Sequence, residues 1–311
     1  MARSILSKRL AALAEHFSPL RYLSWTLEGG VMLLFWGVCR CLPVERAAGF
    51  GAFVAGAAGP RLHKHRQVIA NLTIALRGRS TADIERSGRA MWRNFGMVLA
   101  EYPHLKQIAR ERMEVDIAPA AQLVFDSGRR AIFVTAHLAN WEVGAAAITA
   151  AGARLAAIYS PQSNPVADWA MRRWRGAFGA EYLPKDNALR AWLKEGETGR
   201  CLGLVVDQRV DGGSVLHFFG EPAETVTTPA RLAARLGCPL VPFRTVRTGR
   251  SRYRVYFEAP IAVPEAAEGR DLAMTEALLR RVEAWIRERP DEWLCSKRRW
   301  PKRRLVAVPT P

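Results

Sequence analysis

His137 stands in the stretch AHLANWE, with Glu142 five residues later. An imidazole beside a carboxylate can act as a general base. The carboxylate holds one ring nitrogen and stabilises the imidazolium, and the other nitrogen takes a proton from a hydroxyl. On one continuous helix the two residues would lie about 140° apart and could not meet. A strand ending at His137, with a helix starting near Asn140, would let the turn fold Glu142 back towards the ring. Backbone N–H groups at the start of that helix would then be placed to stabilise a developing oxyanion. His16, His63, His65 and His104 lie in basic or helical stretches without catalytic neighbours, and His217 beside Phe218 and Phe219 is ambiguous. On spacing alone, His137 also fits a surface histidine in a strand–helix loop.

The surrounding pattern supplies the elements that would position this pair. Ala131–Ala136 (AIFVTA) is a short apolar, partly β-branched run and reads as a buried strand. An Ala-rich helix follows over 143–151, then a strand over 155–159, a basic helix over 166–178 and another helix over 187–194. CLGLVV (201–206) reads as a strand ending at Asp207. A helix over 229–236 ends at Gly237, where a left-handed cap belongs. Strands over 240–246 and 253–257 flank the turn Thr248-Gly249-Arg250, and a long amphipathic helix covers 272–288. Upstream, Ser80-Thr81-Ala82-Asp83 reads as a helix start. Short strands alternating with helices predict an α/β fold, with a mostly parallel mixed sheet flanked by helices. In such sheets ligands bind at the carboxyl ends of strands, which is where His137 falls.

The 311 residues carry 46 Lys+Arg against 29 Asp+Glu, a formal charge of +17. That field favours a polyanionic partner: nucleic acid, an anionic membrane surface or a phosphorylated substrate. With 49% hydrophobic residues the chain is neither disordered nor rod-like. Its cysteines (Cys39, Cys41, Cys201, Cys238 and Cys295) form no zinc cage in sequence and read as reduced thiols, so no metal is expected. G-x-S-x-G, H-E-x-x-H, Walker A and G-x-G-x-x-G motifs are all missing. A base without a protein nucleophile points to direct attack by a substrate hydroxyl. No helix-turn-helix, zinc-finger or RNP signature supports the rival reading of a basic nucleic-acid-binding protein.

The N-terminus is basic at Arg3, Lys8, Arg9 and Arg21. An apolar stretch from Tyr22 to Cys39 follows, interrupted only by Glu28, and Ala47–Pro60 is uncharged and rich in Gly and Ala. A spanning helix needs about 20 apolar residues, so the first stretch is borderline and the second short. The expected organisation is a membrane-associating segment over 1–60 and one larger domain over 61–311. The segment is expected to lie in or anchor to the membrane interface, with a single span or a buried core helix as alternatives.

AHLANWE also matches the H-x4-[DE] motif of the glycerolipid acyltransferases, and VTAHLANWE resembles the bacterial lauroyl/myristoyl acyltransferases of lipid A biosynthesis. Three further stretches resemble that family: HRQVIANL (65–72), VVDQRVDGGSVLHFFGEPAETVTTPARLA (205–233) and EWLCSKRRW (292–300). The resemblance implies a glycerolipid-acyltransferase-like fold and transfer without an acyl-enzyme. His137 would deprotonate an acceptor hydroxyl, Glu142 would orient it, and the hydroxyl would attack the thioester of an acyl carrier protein or coenzyme A. No cofactor beyond that co-substrate is implied. The acceptor would be a phosphorylated glycolipid precursor of lipid A, or another glycolipid or phospholipid. Arg175, Asp207, Gln208, Arg298 and Arg299 are its expected substrate-binding residues. Asp207 is expected to hold an arginine or the backbone around Gln208. Lys297, Arg298, Arg299, Lys302, Arg303 and Arg304 would meet substrate phosphates or an anionic leaflet. The resemblance places the protein at the cytoplasmic face of the inner membrane.

Overall fold

The computed structural model describes residues 18–185, 188–196, 199–265 and 268–301. Lys302, Arg303 and Arg304, like Arg3, Lys8 and Arg9, lie outside them. Helices α1 (Ser18–Cys41), α2 (Val44–Ala58), α3 (Lys64–Ala75), α4 (Thr81–Glu101) and α5 (Leu105–Glu111) come first. Pro43 breaks the chain between α1 and α2. Ser80 caps α4, its side chain accepting from the Asp83 N–H as the sequence predicts.

The α/β part then runs β1 (Met113–Ile117), α6 (Pro119–Asp126), β2 (Ile132–Thr135), α7 (Val143–Ala150), β3 (Leu155–Tyr159), α8 (Pro165–Arg175), β4 (Glu181–Pro184), α9 (Ala188–Leu193) and β5 (Cys201–Val205). The hairpin β6 (Ser214–Phe218) and β7 (Glu221–Thr225) follows. Next come α10 (Thr228–Leu236), β8 (Leu240–Gly249), β9 (Arg252–Phe257) and α11 (Arg270–Glu288). Gly237 ends α10 at φ 61°, the left-handed cap expected there.

Seven strands form one sheet in the order β1-β9-β8-β2-β5-β3-β4, and β6 and β7 pair separately. Within the seven-stranded sheet all neighbours are parallel except β8 and β9, and the β6–β7 hairpin is antiparallel. The fold is therefore the predicted helix-flanked, mostly parallel sheet. Strand β2 is buried throughout because both faces are covered. Ile132 and Val134 pack with α3, α10 and α11 residues such as Leu72, Ala233 and Val282. Phe133, of opposite parity, packs with Val143, Ala147 and Phe257 on the other face.

Helices α2 and α4 cross at glycines. A Cβ on Gly51 would lie 2.2 Å from the Gly96 carbonyl oxygen, and one on Gly96 would lie 2.0 Å from that of Gly51. Trp36 of α1 packs with Tyr102 and Trp174, which brings α1 against the end of α8. Among the described residues, no helix is long and apolar enough to cross a membrane. The single-span alternative is therefore not met by α1 or α2.

Candidate active site

Strands β2 and β5 are parallel neighbours with Thr135 paired to Val205. The Val206 N–H still donates to the Thr135 carbonyl, at 2.9 Å. His137 and Asp207, each two residues further on, therefore emerge level with one another at the carboxyl edge of the sheet. His137 Nδ1 lies 2.7 Å from Asp207 Oδ1, and Trp293 Nε1 donates to Asp207 Oδ2 at 2.8 Å. Burial works to raise the Asp207 carboxyl. The charge and hydrogen bond of His137, with the Trp293 bond, outweigh it and hold the group below the usual carboxylate range.

A carboxylate only accepts, so the proton of a neutral imidazole lies on Nδ1 and the lone pair on Nε2. The Gln208 side-chain nitrogen is 3.3 Å from His137 Nε2 and 3.4 Å from Nδ1. Near-equal distances to both nitrogens put it over the ring face, out of line with the Nε2 lone pair. Trp141 meets the ring edge-on, with centroids 5.0 Å apart.

Glu142 does not hold a nitrogen of His137. It is buried on the other side of the turn, where Arg175 donates to Oε2 from Nε at 2.7 Å and to Oε1 from Nη2 at 2.5 Å. The Tyr102 hydroxyl also donates to Oε1, at 2.6 Å. Burial again works to raise the carboxyl, and Arg175 and Tyr102 outweigh it, so Glu142 is held low. The reason for the departure is geometric: the adjacent strand brings Asp207 to Nδ1 first, and α8 offers Glu142 a guanidinium. For the same reason Asp207 holds His137, by ring and backbone N–H, and Trp293, not an arginine or the backbone around Gln208. Arg175 is committed to Glu142 and Tyr102 and buried, so it is not a substrate-facing cation.

The turn between them is pinned at several points. Ala139 takes a left-handed conformation, φ 48°, unusual for a residue with a Cβ. Its N–H donates to the Glu292 carbonyl at 3.0 Å, and the Leu294 N–H donates to the His137 carbonyl at 2.9 Å. Asn94 donates to the Ala139 carbonyl at 3.3 Å, and Asn140 donates to buried Glu101 at 2.9 Å. Glu101 also accepts from Arg247 at 2.7 Å, Ser251 at 2.8 Å and Tyr253. These donors satisfy a carboxylate that would otherwise be costly to bury.

The helix start is not the oxyanion site that the spacing suggested. The Glu142 N–H goes to Asn140 Oδ1 at 3.2 Å, and those of Val143 and Gly144 go to the carbonyls of Asn140 and Trp141.

The C-terminal segment completes the site. Asn71 of α3 donates to the carbonyls of Cys295 and Lys297, both at 2.7 Å. This gives the HRQVIANL helix a structural role: it anchors the extended segment that follows Trp293. Lys297 Nζ donates to Gln208 Oε1 at 2.8 Å. Partial burial pulls the Lys297 ammonium below the usual lysine range, with Lys64 and Lys185 adding to this and Asp207 opposing it. Lys297 is thus the basic residue at the edge of the site, with the charges of Lys64 and Lys185 acting on it. Arg299 does not join it: its guanidinium is buried, donating to the Glu224 carbonyl at 2.8 Å and the Thr225 hydroxyl at 2.7 Å. Arg298 is half-buried beside it. Trp293, Asn71, Glu101 and Asn140 were not read as site residues in the sequence: tryptophans and asparagines carry no charge pattern, and the partners of Glu101 lie 39 to 152 residues away from it. Among the described residues, no group of His, Cys, Asp or Glu could hold a metal ion.

The profile of the bacterial lipid A biosynthesis acyltransferases matches residues 14–302. The chain is 20% identical over 234 residues to lipid A biosynthesis acyltransferase 1 of Shigella flexneri, covering 73% of this chain and 72% of that one. The lipid A biosynthesis myristoyltransferase of Escherichia coli K12 is similar to the same extent, 20% over 234 residues with 73% and 72% covered. The 1-acyl-sn-glycerophosphate acyltransferase PlsC of Thermotoga maritima aligns at a TM-score of 0.36 and 13% identity, covering 84% of this chain and 97% of that one. That structural likeness is too distant to carry residue roles. The family match runs through every element described above, and the chain accordingly belongs to the bacterial lipid A biosynthesis acyltransferases and is an O-acyltransferase.

Proposed function

We propose that the protein transfers a fatty acyl group from a thioester, borne by acyl carrier protein or coenzyme A, to a hydroxyl of a phosphorylated lipid A precursor. The observation that carries this reading is the His137–Asp207 pair at the sheet edge, with Nδ1 engaged and Nε2 left as the basic nitrogen. His137 Nε2 takes the acceptor hydroxyl's proton as that oxygen bonds to the thioester carbonyl carbon. The tetrahedral adduct collapses, the C–S bond breaks, and the imidazolium returns the proton to the leaving thiolate. Asp207 stabilises the imidazolium between these steps. The Gln208 amide, 3.3 Å from Nε2, is a side-chain donor beside the place where the oxyanion develops. Lys297, beside Gln208, suits the acceptor's phosphate, and the charges of Lys64 and Lys185 add to the positive field there. Glu142 and Arg175 act as a buried strut that sets the turn carrying His137.

Attachment to the cytoplasmic face of the inner membrane belongs to the same proposal. Leu27, Val31 and Leu34 of α1 are 62%, 69% and 70% exposed, and Phe53 of α2 is 73% exposed. Leu23, Leu27, Val31, Leu34 and Val38 recur at helical spacing, so they form one stripe. A water-facing apolar stripe of this length suits a helix lying in the plane of a bilayer interface. The test is mass spectrometry of lipid A from cells with and without the protein. A difference of one acyl group is expected, and identical lipid A contradicts the acceptor assignment.

A further inference from the structure

A cavity of about 300 Å³ opens at the end of α1, away from His137, lined by Arg40 and by His104, Lys106, Gln107, Arg110 and Glu111. Arg40, Lys106 and Arg110 are exposed; Arg40 donates to the Pro103 carbonyl at 3.4 Å, and none of the three shows an ion pair with a carboxylate among the described residues. Lys106 and Arg110 are four apart on α5, a like-charge spacing that costs helix stability unless an anion or water intervenes. Glu111, the one acid on the wall, is occupied by Gln107 Nε2 at 3.0 Å. His104 Nε2 donates to the Cys39 carbonyl at 2.9 Å, which ties α5's entry to the end of α1.

The position of the cavity matters as much as its charge. Among exposed α1 residues between Tyr22 and Cys41, Arg40 is the only charged one. The apolar stripe therefore runs along the helix and ends at the cavity's cations. With that stripe at the acyl–headgroup boundary, Arg40 stands at headgroup level. Guanidinium groups bind phosphate oxygens in pairs, and Lys adds a point charge.

We infer that this cavity is a binding site for the phosphate of an anionic phospholipid headgroup, set at the end of the membrane-facing helix. The inference rests on the reading that α1 lies on a bilayer. A lipid surface is favoured over an acidic protein because the cations continue an exposed apolar face.

The test is sedimentation of the full-length chain with vesicles of phosphatidylcholine, alone or with one-fifth phosphatidylglycerol, at fixed ionic strength. The variant Arg40→Gln, Lys106→Gln, Arg110→Gln should bind the anionic vesicles about a hundredfold more weakly than wild type, and neutral vesicles equally well. A control variant replacing the exposed cations Arg235, Arg250 and Arg280 by Gln should bind both as wild type does. Circular dichroism melts confirm that the variants fold. Equal losses in the two triple variants overturn the site, because diffuse attraction then suffices. Saturable binding of inorganic phosphate without preference for anionic vesicles overturns the headgroup assignment. Loss of acyl carrier protein binding with unchanged vesicle binding overturns it in favour of an acidic protein. Failure of wild type to bind neutral vesicles, with anionic binding still dependent on the cavity, contradicts the apolar-stripe reading and spares the phosphate site.

Discussion

Arg175 donates to both carboxylate oxygens of Glu142, at 2.7 and 2.5 Å, with the Tyr102 hydroxyl on the same carboxylate at 2.6 Å. This pair joins the last turn of α8 to the N-cap of α7, so it fixes the far end of the turn that begins at His137. In the proposed mechanism it supports the base at one remove.

Removing one partner of that pair should destabilise the fold strongly. Glu142→Gln or Arg175→Met leaves a buried charge uncompensated, a cost of about 3–5 kcal/mol, while the double replacement Glu142→Gln, Arg175→Met should recover most of it. Denaturant unfolding of the three variants measures this cycle. Glu142 has a lowered folded pKa, so its stabilisation is present above the unfolded value of about 4.3 and lost as pH falls through the folded one. The single variant Glu142→Gln should therefore show a weaker pH dependence of stability in acid. An additive cycle would contradict the pairing.

Asp207→Asn should leave the fold nearly intact and slow catalysis. An amide in place of the carboxylate removes the charge that stabilises the imidazolium, and its NH2 can present a donor where Nδ1–H needs an acceptor. We expect kcat to fall by about 10²- to 10⁴-fold, with the melting temperature little changed. Steady-state kinetics alongside thermal melts separate the two effects.

Lys297 and Arg299 should behave differently although they are two residues apart. Lys297→Gln removes the charge beside Gln208, so the KM for a phosphorylated acceptor should rise while a dephosphorylated analogue is unaffected. Arg299→Ala strips buried donors from the Glu224 carbonyl and Thr225 and should lower stability by about 1–3 kcal/mol. Kinetics with the acceptor pair and chemical denaturation of each variant test the contrast.

The strand–helix order around the site was readable because apolar runs such as AIFVTA and CLGLVV are short, bounded and partly β-branched. The same reading placed His137 at a strand end and Asp207 at another. It did not show that the two strands are neighbours, because sheet order depends on contacts distant in sequence. Glu142, near in sequence, therefore looked like the partner that Asp207 turns out to be. The basic run at the C-terminus was read as one cluster, yet Lys297 faces Gln208 and Arg299 is buried, since charge count does not record which way a side chain points. Strands β1 and β4 escaped notice because their residues are largely exposed or half-buried and carry no apolar run. The hairpin of β6 and β7 was hidden by its Glu and Pro content.

The crossing of α2 and α4 gives a prediction independent of chemistry. Gly51→Val or Gly96→Val places a side chain against a backbone carbonyl that cannot move aside. Each should cost about 1–3 kcal/mol or more by overpacking, seen as a lowered melting temperature. A wild-type melt for either would contradict the close approach of the two helices.

The proposed mechanism makes His137, held by Asp207, the base for acyl transfer to a lipid A precursor. Single-turnover transfer by purified full-length wild type and His137→Ala, with an acyl thioester and a bis-phosphorylated acceptor, tests it most directly, the product being read by mass spectrometry. The account predicts that wild type adds one acyl group and that the folded variant is slower by at least about 10²-fold. A folded His137→Ala protein transferring acyl groups at near wild-type rate would contradict it.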